Sequence, residues 1–353
     1  MNLYDTYVML AAMEERTPRH TFLRDRYFNT HVTFPSQEVL IDYKDDMGNR
    51  LAPFVLPRTG GVPIAREGFK TYTLTAPLVA PMRNLSVDDL KQRAIGESLF
   101  SGNTAASREA AYLADDMRTL EEAIQNREEY MAAQLLLNNG YTARQYGEKY
   151  GSGEYVDEEI KFYEGASNPS VYVPSPPWST TSTKILDDIA AMAYMNTKRG
   201  YPMTDLIVAA NVADVILSNE PILKLLDNRR FELTNRVSPE ELGNGAVHIA
   251  ELNAKGHRVN IFSYVGEYTD ETGKVQKFIP DDYVVMTAPG IGRIAYGCIN
   301  WFEKGTGEAV TFEADRVPRT EVDEHGSTRS LTMYSRPLVV PSYPNPAVSA
   351  KVL

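Results

Sequence analysis

The stretch from position 105 to position 138 contains neither glycine nor proline, and it constrains the fold more than any other segment. Its apolar residues recur at intervals of four and three until the charged Arg127, which is the period of an α-helix. Thr104 and Ser107 are both acceptable N-caps, and Gly140 follows the last apolar turn as a stop signal. We therefore predict one helix of roughly 50 Å. Its apolar positions are Ala106, Ala110, Leu113, Met117, Leu120, Ile124, Met131 and Leu135.

The apolar stripe of this helix is narrow, and its other faces are charged. A single sheet packed along one side would bury the stripe and leave the charged faces to water or to neighbouring chains. A long helix of an ordinary α/β domain and a coiled coil are the alternatives, although the pattern covers too few heptads to favour the coiled coil. The charged positions are Asp115, Asp116, Glu121, Glu122, Glu128 and Glu129, with Arg118 and Arg127.

Composition limits the classes of protein and of partner. The chain has 353 residues, a net charge of −11 and a pI near 5.1. Tight binding to nucleic acid or to an anionic membrane needs clustered Lys and Arg, and no basic run occurs. A single cysteine, Cys298, excludes an intrachain disulfide and fits a reducing compartment. Neither a signal peptide nor an apolar run of membrane-spanning length is present, so we expect a soluble protein made in the cytoplasm.

The first 30 residues have the composition of an arm. A short amphipathic helix is predicted from position 3 to 15, and it ends before Pro18. The aromatic-rich segment from Phe22 to Phe28 follows, and such an apolar arm must dock on something. Alternation from Val32 to Asp42 then predicts a strand.

The segment from Ser36 to Pro81 is extended and carries an unexpected positive charge. A loop of this length cannot bury itself within one chain. The net charge of this segment is positive, whereas the net charge of the whole protein is negative. This indicates an acidic surface as the partner of the loop. Between Gly48 and Arg83, the charged residues are Arg50, Arg58, Arg66, Lys70 and Arg83 against Glu67 alone, five positive and one negative, a net of +4.

Three features flank the long helix. A short helix is predicted from Ser86 to Phe100, with Ser86 as its cap and Asp89 at the third position of a capping box. Residues 141–173 mix glycine, tyrosine and acidic residues, and they predict a projecting hairpin. The cluster from Pro174 to Pro177 then marks a boundary.

A compact α/β unit is predicted from Lys184 onward. It begins with a helix that ends at Gly200, and a buried strand from Asp205 to Ala210 follows. The C-terminal segment from Leu331 to Val352 alternates like a strand, and we expect it to return to the sheet of the first unit. The unit's further predicted elements are helices at Val212–Leu217 and Ile222–Leu226, strands at Val247–Leu252, Arg258–Val265 and Tyr283–Thr287, and a hairpin tip at Asp270–Gly273.

One motif suggests catalysis. Residues 290–295 match the G-x-G-x-x-A pattern that admits a dinucleotide pyrophosphate to a helix N-terminus. That fingerprint requires strand, turn and helix together, and the residues after Ala295 have the spacing of a strand instead. The five histidines are scattered, and Cys298 has no neighbouring base in the sequence. We predict no catalytic, cofactor-binding or metal-binding residue.

Seven short motifs, taken in order, resemble the landmarks of the lambda-type major capsid proteins of tailed bacteriophages. The resemblance implies an α+β Hong Kong 97-type fold. The motifs are Phe22–Phe28, Val39–Asp42, Leu51–Val55 with Arg66–Phe69, Pro77–Pro81, Phe278–Asp282, Tyr296–Ile299 and Arg336–Pro341. The implied parts are an N-terminal arm (1–35), an extended loop (36–82), a peripheral domain (83–182) with the spine helix 105–138, an axial domain (183–290), and a return to the peripheral domain (291–353).

The resemblance also implies a function without catalysis. Such a subunit assembles as hexamers and pentamers into an icosahedral virion shell around double-stranded DNA, with assembly in the host cytoplasm. The implied partners are copies of itself, a separate scaffolding protein, a portal, a decoration protein as a further candidate, and DNA through weak non-specific contact. The alternatives are a nucleotide-binding α/β enzyme that uses residues 290–295 and a structural protein of the tail-tube type.

Charged and apolar residues that lack an evident partner in the sequence are the candidates for contacts between subunits. We predict that the basic loop residues Arg50, Arg58, Arg66 and Lys70 lie over acidic groups of an adjacent chain. The candidate acids are Asp115, Asp116 and Glu121 of the spine helix, or the hairpin at 154–164. Phe22 and Phe28 of the arm are further contact candidates.

Overall fold

The computed structural model describes Thr6, Met9 and residues 21–44, 69–91, 105–147, 154–163, 167–180, 184–198, 200–227, 236–243, 245–303, 307–323 and 325–353. The helices of these residues are α1 (Phe22–Tyr27), α2 (Val87–Lys91), α3 (Ala105–Asn138), α4 (Ile185–Thr197), α5 (Ala210–Ser218) and α6 (Glu220–Asp227). The strands are β1 (Thr30–Thr33), β2 (Glu38–Lys44), β3 (Phe69–Thr75), β4 (Met82–Ser86), β5 (Gly140–Tyr146), β6 (Tyr155–Lys161), β7 (Val171–Tyr172), β8 (Asp205–Val208), β9 (Arg236–Gly243), β10 (Ala246–Ala254), β11 (His257–Tyr264), β12 (Glu267–Thr269), β13 (Val275–Lys277), β14 (Tyr283–Thr287), β15 (Gly292–Tyr296), β16 (Ile299–Phe302), β17 (Ala309–Phe312), β18 (Val317–Val322), β19 (Thr328–Tyr334), β20 (Pro337–Pro341) and β21 (Val348–Lys351).

The long helix α3 has the bounds that the sequence predicts, and its end is set by two residues. Asn139 adopts a left-handed backbone with φ of 51° and donates its N–H to the carbonyl of Leu135 at 2.7 Å. Gly140, predicted as the stop, instead begins β5. A Cβ at this position would lie 2.6 Å from the carbonyl oxygen of Ile160, so glycine permits the close pairing of β5 with β6.

A seven-stranded mixed sheet forms the largest part of the fold, with the order β7-β21-β14-β8-β11-β10-β9. Its central strand β8 is buried along its whole length, and alternate residues of a strand point to opposite faces. Leu206 and Val208 pack with α4 to α6, whereas Ile207 belongs to a core shared with α3. The sheet therefore lies between two layers of helix.

The C-terminal strand β21 differs from its prediction. It pairs antiparallel with β14 of the α/β unit inside the seven-stranded sheet, and on its other side it pairs parallel with β7, which precedes the boundary at Pro174. The reason is its apolar face, because Val348 and Ala350 pack in the same core as α4 and α5. The earlier part of the predicted segment does return to the first unit, because β19 pairs with β4 and β20 joins the three-stranded sheet β1-β15-β20.

More than one sheet covers α3, contrary to the prediction of a single one. Leu113, Met117 and Leu120 of its first half pack on Leu331 and Met333 of the sheet β18-β19-β4. Its second half enters the core that is formed by the seven-stranded sheet, β15 and β20. The second half is consequently buried over a wider face than the narrow apolar stripe predicts.

The predicted extended loop begins and ends in a regular ladder. Strands β2 and β3 pair antiparallel from Glu38 opposite Thr75 to Lys44 opposite Phe69. The single strand predicted over 32–42 is in fact two strands, because β1 pairs with β15 and β2 pairs with β3.

The predicted capping box and hairpins are present. Ser86 accepts a hydrogen bond from the N–H of Asp89 at 3.3 Å, and Asp89 accepts one from the N–H of Ser86 at 3.0 Å. The bond from the Ser86 N–H, together with one from the Ser86 hydroxyl at 2.8 Å, lowers the pKa of the Asp89 carboxyl. The hairpin predicted within residues 141–173 is formed by β5 and β6, and the turn at Asp270 joins β12 to β13.

Candidate assembly surfaces

The arm segment docks on the chain's own long helix. Glu129 of α3 accepts hydrogen bonds from the backbone N–H groups of Leu23 (2.8 Å) and Arg24 (2.7 Å) in the first turn of α1. The hydroxyl of Tyr264 on β11 donates a third bond to Glu129 at 2.8 Å. These bonds favour the carboxylate, but burial outweighs them and raises the pKa of Glu129.

The neighbouring Glu128 forms a buried charge cluster. Its carboxylate lies 2.9 Å from Nε of Arg24 and 2.8 Å from Nη2 of Arg316, and it accepts a hydrogen bond from the hydroxyl of Tyr296 at 3.0 Å. Both arginines are buried. Burial alone would lower the pKa of Arg316, but Glu128 is the largest of the opposing causes, and together these raise it. Glu128 thus balances two buried cations at once.

The other end of α1 contacts the seven-stranded sheet. Nε of Arg26 lies 2.7 Å from the buried carboxylate of Asp205 at the start of β8, and the hydroxyl of Tyr27 donates to the same oxygen at 3.2 Å. The guanidinium of Arg26 also lies over the ring of Phe262, 4.4 Å from its centroid. Helix α1 therefore connects α3 to the sheet through buried charge.

The sequence interpretation placed Glu128 and Glu129 on exposed faces, and this was wrong. Glu128 lies four residues after Ile124 and three before Met131, so it falls within the apolar stripe. That register was the available signal. Its cationic partners are distant in sequence, and no local pattern identifies them.

Phe22 and Phe28 do not offer a surface to another chain. Both are buried in the main core. The ring of Phe22 lies 5.6 Å from that of Phe262 and 5.4 Å from that of Tyr264, measured between centroids. The two aromatics thus account for docking of the arm on its own chain, which corrects their nomination as contacts between subunits.

The nominated acids of α3 already have partners within the chain. Asp116 accepts a hydrogen bond from Arg83 at 2.9 Å, and Asp115 lies 2.5 Å from Nη2 of Arg118. Glu121 accepts a bond from Gln125 at 3.3 Å. Asp115 and Arg118 are well exposed, so the N-terminal half of α3 still presents charge at the surface.

The nominated bases lie mostly outside the described residues. This applies to Arg50, Arg58 and Arg66. Lys70 is on β3 opposite Tyr43, and its side chain also lies outside the described part.

The acidic hairpin is held by its own arginine. Arg144 of β5 donates to both oxygens of Asp157 on β6, at 2.7 and 2.8 Å, and this lowers the pKa of Asp157. Lys161 pairs with Glu159 at 2.9 Å. Much of the acidic charge of this hairpin is therefore matched within the hairpin.

The G-x-G-x-x-A motif has a packing role. Residues Gly292 to Tyr296 form strand β15, and β16 follows rather than a helix. A Cβ at Gly292 would lie 2.5 Å from the carbonyl oxygen of Val340 and 2.6 Å from the ring of Phe28. Glycine is needed at position 292 because the strand and the arm are in close contact there. Since a strand and not a helix follows the motif, the helix N-terminus that would bind a pyrophosphate is missing at this place.

Within the part of the chain that the structure describes, no group of His, Cys, Asp and Glu side chains is arranged to hold a metal ion. Over the same residues, no helix is both long and apolar enough to cross a bilayer.

Comparison with known proteins identifies the family. The family model for phage major capsid protein E matches residues 5–352. The chain belongs to this family. It is 23% identical to the major capsid protein of Enterobacteria phage P21 and to a P21 prophage-derived major head protein of Escherichia coli O6:H1 (strain CFT073), over 100% of each chain.

Solved structures agree on the fold of this capsid protein. The crystal structure of a protein assigned as a prophage capsid protein of E. coli CFT073 superposes with a TM-score of 0.68 at 17% identity, over 99% of both chains. A phage-related protein of Bordetella bronchiseptica gives 0.51 at 10% identity, over 99% of this chain and 97% of the other. The fold is the Hong Kong 97-type capsid fold implied by the resemblance. Family membership makes the protein a structural component of a phage head and not an enzyme.

Proposed function

We propose that this capsid protein assembles as hexamers and pentamers into a closed icosahedral shell around double-stranded DNA. The family match over residues 5–352 is the observation that carries the proposal. The proposal includes the division into arm, extended loop, peripheral and axial domains, and assembly in the host cytoplasm with a separate scaffolding protein and a portal. A decoration protein is a further candidate partner.

The extended loop is the proposed link between neighbouring subunits. Its closing ladder, β2 with β3, is a two-stranded sheet that packs on the main core of its own chain through Val39 and Ile41. We propose that Arg50, Arg58, Arg66 and Lys70 pair with the acidic part of α3 in the next subunit. Exposed ion pairs contribute only ~0–1 kcal/mol each, so repetition around the shell supplies the effect.

The net charge of −11 fits the proposed contents of the shell. Protein that neutralises many phosphates binds DNA tightly, and it does so through Lys and Arg. An acidic subunit repels DNA weakly instead. This favours release of the packaged genome, and contact with the DNA stays weak and non-specific.

Electron microscopy and sedimentation velocity test the function directly. The protein is expressed alone and together with its scaffolding protein, and purified particles are imaged in negative stain. Closed shells, or free pentamers and hexamers, are the expected result. Cylinders would support a tail-tube protein, and a persistent monomer that binds nucleotide would overturn the proposal.

Charge reversal tests the loop contact separately. Arg58→Glu combined with Arg66→Glu is expected to reduce particle yield, because two positive charges per subunit become negative opposite an acidic surface. Lys255→Glu with Lys274→Glu is the matched control, since both lysines are exposed and outside the loop. Equal particle yield from the two double variants would contradict the pairing.

A further inference from the structure

A small cleft lies beside the base of the extended loop. It has a volume of about 220 Å³, and its walls include Leu78, Trp301, Arg319, Tyr334 and Arg336. Pockets for small molecules typically measure about 300–1,000 Å³, so this cleft suits one or two side chains better than a free ligand.

The walls of the cleft combine apolar and aromatic side chains with two arginines. Leu78 is 44% exposed. The ring of Trp301 lies 4.6 Å from that of Phe312 and 5.8 Å from that of Tyr334, measured between centroids. Arg319 lies over the Trp301 ring at 5.0 Å and pairs with Glu321 at 2.9 Å. Aromatic and arginine side chains of this kind are enriched at protein interfaces.

Arg336 is the unusual member of the cleft. Its Nη1 donates to the carbonyl oxygen of Ala76 at 3.1 Å, whereas its buried Nε has no hydrogen-bond partner among the described residues. No carboxylate of the described residues forms an ion pair with Arg336, and burial lowers the pKa of its guanidinium. A partly desolvated cation without a counter-ion is unfavourable, and an incoming carboxylate would relieve the cost.

The β5–β6 hairpin carries a matching group. Tyr155 and Val156 at the start of β6 are 53% and 70% exposed. The adjacent Glu154 is exposed and forms no ion pair among the described residues. Asp157, by contrast, is already held by Arg144. The segment Glu154–Val156 therefore combines an available carboxylate with two exposed apolar side chains.

We propose that the cleft of one subunit receives the segment Glu154–Val156 of a second copy of this chain. The carboxylate of Glu154 pairs with Arg336, and an apolar side chain of the segment packs against Leu78, Trp301 and Tyr334. The inference rests on the proposed self-assembly and names one contact that holds the particles together.

Site-specific photocrosslinking identifies the occupant. A photoreactive phenylalanine derivative replaces Leu78, and this variant is co-assembled with ¹⁵N-labelled wild-type protein so that links between copies are distinguished by mass. A crosslink from position 78 to a labelled peptide containing residues 154–161 is expected. Particles that give no such link, or that link to another protein or another segment, would overturn the cleft assignment while self-assembly stands. A chain that never forms particles would overturn both.

Charge exchange gives a second, independent readout. Arg336→Glu and Glu154→Lys are each expected to lower particle yield at least several-fold, and the two together are expected to restore most of it. Arg293→Glu is the control, because Arg293 is an exposed arginine on β15 away from the cleft walls. A combined variant that assembles no better than either single variant would refute the pairing.

Discussion

Replacing Glu128 by glutamine removes one charge from the buried cluster and keeps the shape of the side chain. Glu128 is the shared counter-ion of Arg24 and Arg316, at 2.9 and 2.8 Å, and all three side chains are buried. The glutamine oxygen can still accept the bond from Tyr296. The variant therefore leaves Arg316 without an ion-pair partner among the described residues, and it leaves Arg24 with the partly exposed Asp25 alone, at 3.0 Å.

The expected cost follows from that burial. Removing one partner of a buried ion pair typically costs about 3–5 kcal/mol, because the remaining charge stays desolvated. With a urea dependence of about 3 kcal/mol per M, the unfolding midpoint should fall by about 1–1.7 M. This is a large part of the roughly 5–15 kcal/mol by which domains are stable.

Urea unfolding of the purified, unassembled chain measures the effect by circular dichroism and by tryptophan fluorescence. Glu122→Gln is the matched control, since it makes the same substitution on the same helix and its partner Arg118 is exposed. An exposed helical pair of this spacing contributes about 0.3–0.5 kcal/mol. Equal midpoints for the two variants would refute the reasoning. So would an Arg316→Gln change that costs as much in the Glu128→Gln background as in the wild type, because residues in one charge network should couple.

Three further predictions follow from the fold. Gly292→Ala should destabilise the chain by about 1–3 kcal/mol through overpacking, whereas Gly297→Ala, whose nearest neighbour lies at 3.2 Å, should cost less in the same thermal scan. Burial raises the pKa of Glu129 above its usual 4.5, so the folded state binds the proton more tightly than the unfolded state does. The free energy of unfolding should therefore fall as the pH rises from about 4.5 through the pKa of the folded state. Glu129→Gln should flatten this pH dependence, measured by urea titration at several pH values. Asn139→Ala loses two side-chain hydrogen bonds to Ala347 and should cost about 1–3 kcal/mol, measured by denaturant midpoint, while an unchanged midpoint would contradict these bonds.

Local periodicity explains why much of the fold could be predicted. The helix Ala105–Asn138 follows from a 3.6-residue pattern without breakers, and the capping box at Ser86 follows from residue types at a fixed spacing. The strands of the α/β unit follow from short β-branched runs between turns. Each of these signals lies within one element.

Contacts between distant segments explain the errors. The helix that contains Phe22 is held by Glu129 and Asp205, which lie more than a hundred residues further along the chain. A charged residue within an apolar stripe indicates a buried partner but does not say which one. The position of β21 likewise depends on the core in which its apolar face packs. Alternation of apolar and polar residues predicts a strand but does not identify that core. Neither the cleft nor the absence of a counter-ion for Arg336 among the described residues has a local signature in the sequence.

The docking of α1 also bears on the order of events during synthesis. This helix leaves the ribosome before the elements on which it docks, and its hydrogen bonds reach residues that are 105 to 179 positions away. Contacts of such sequence separation form late, since the intervening chain must first be made and folded. We expect the arm to stay undocked on a nascent chain until the seven-stranded sheet has formed. Pairing of Arg24 with Glu128 and of Arg26 with Asp205 would then be among the last steps in the folding of a newly made subunit.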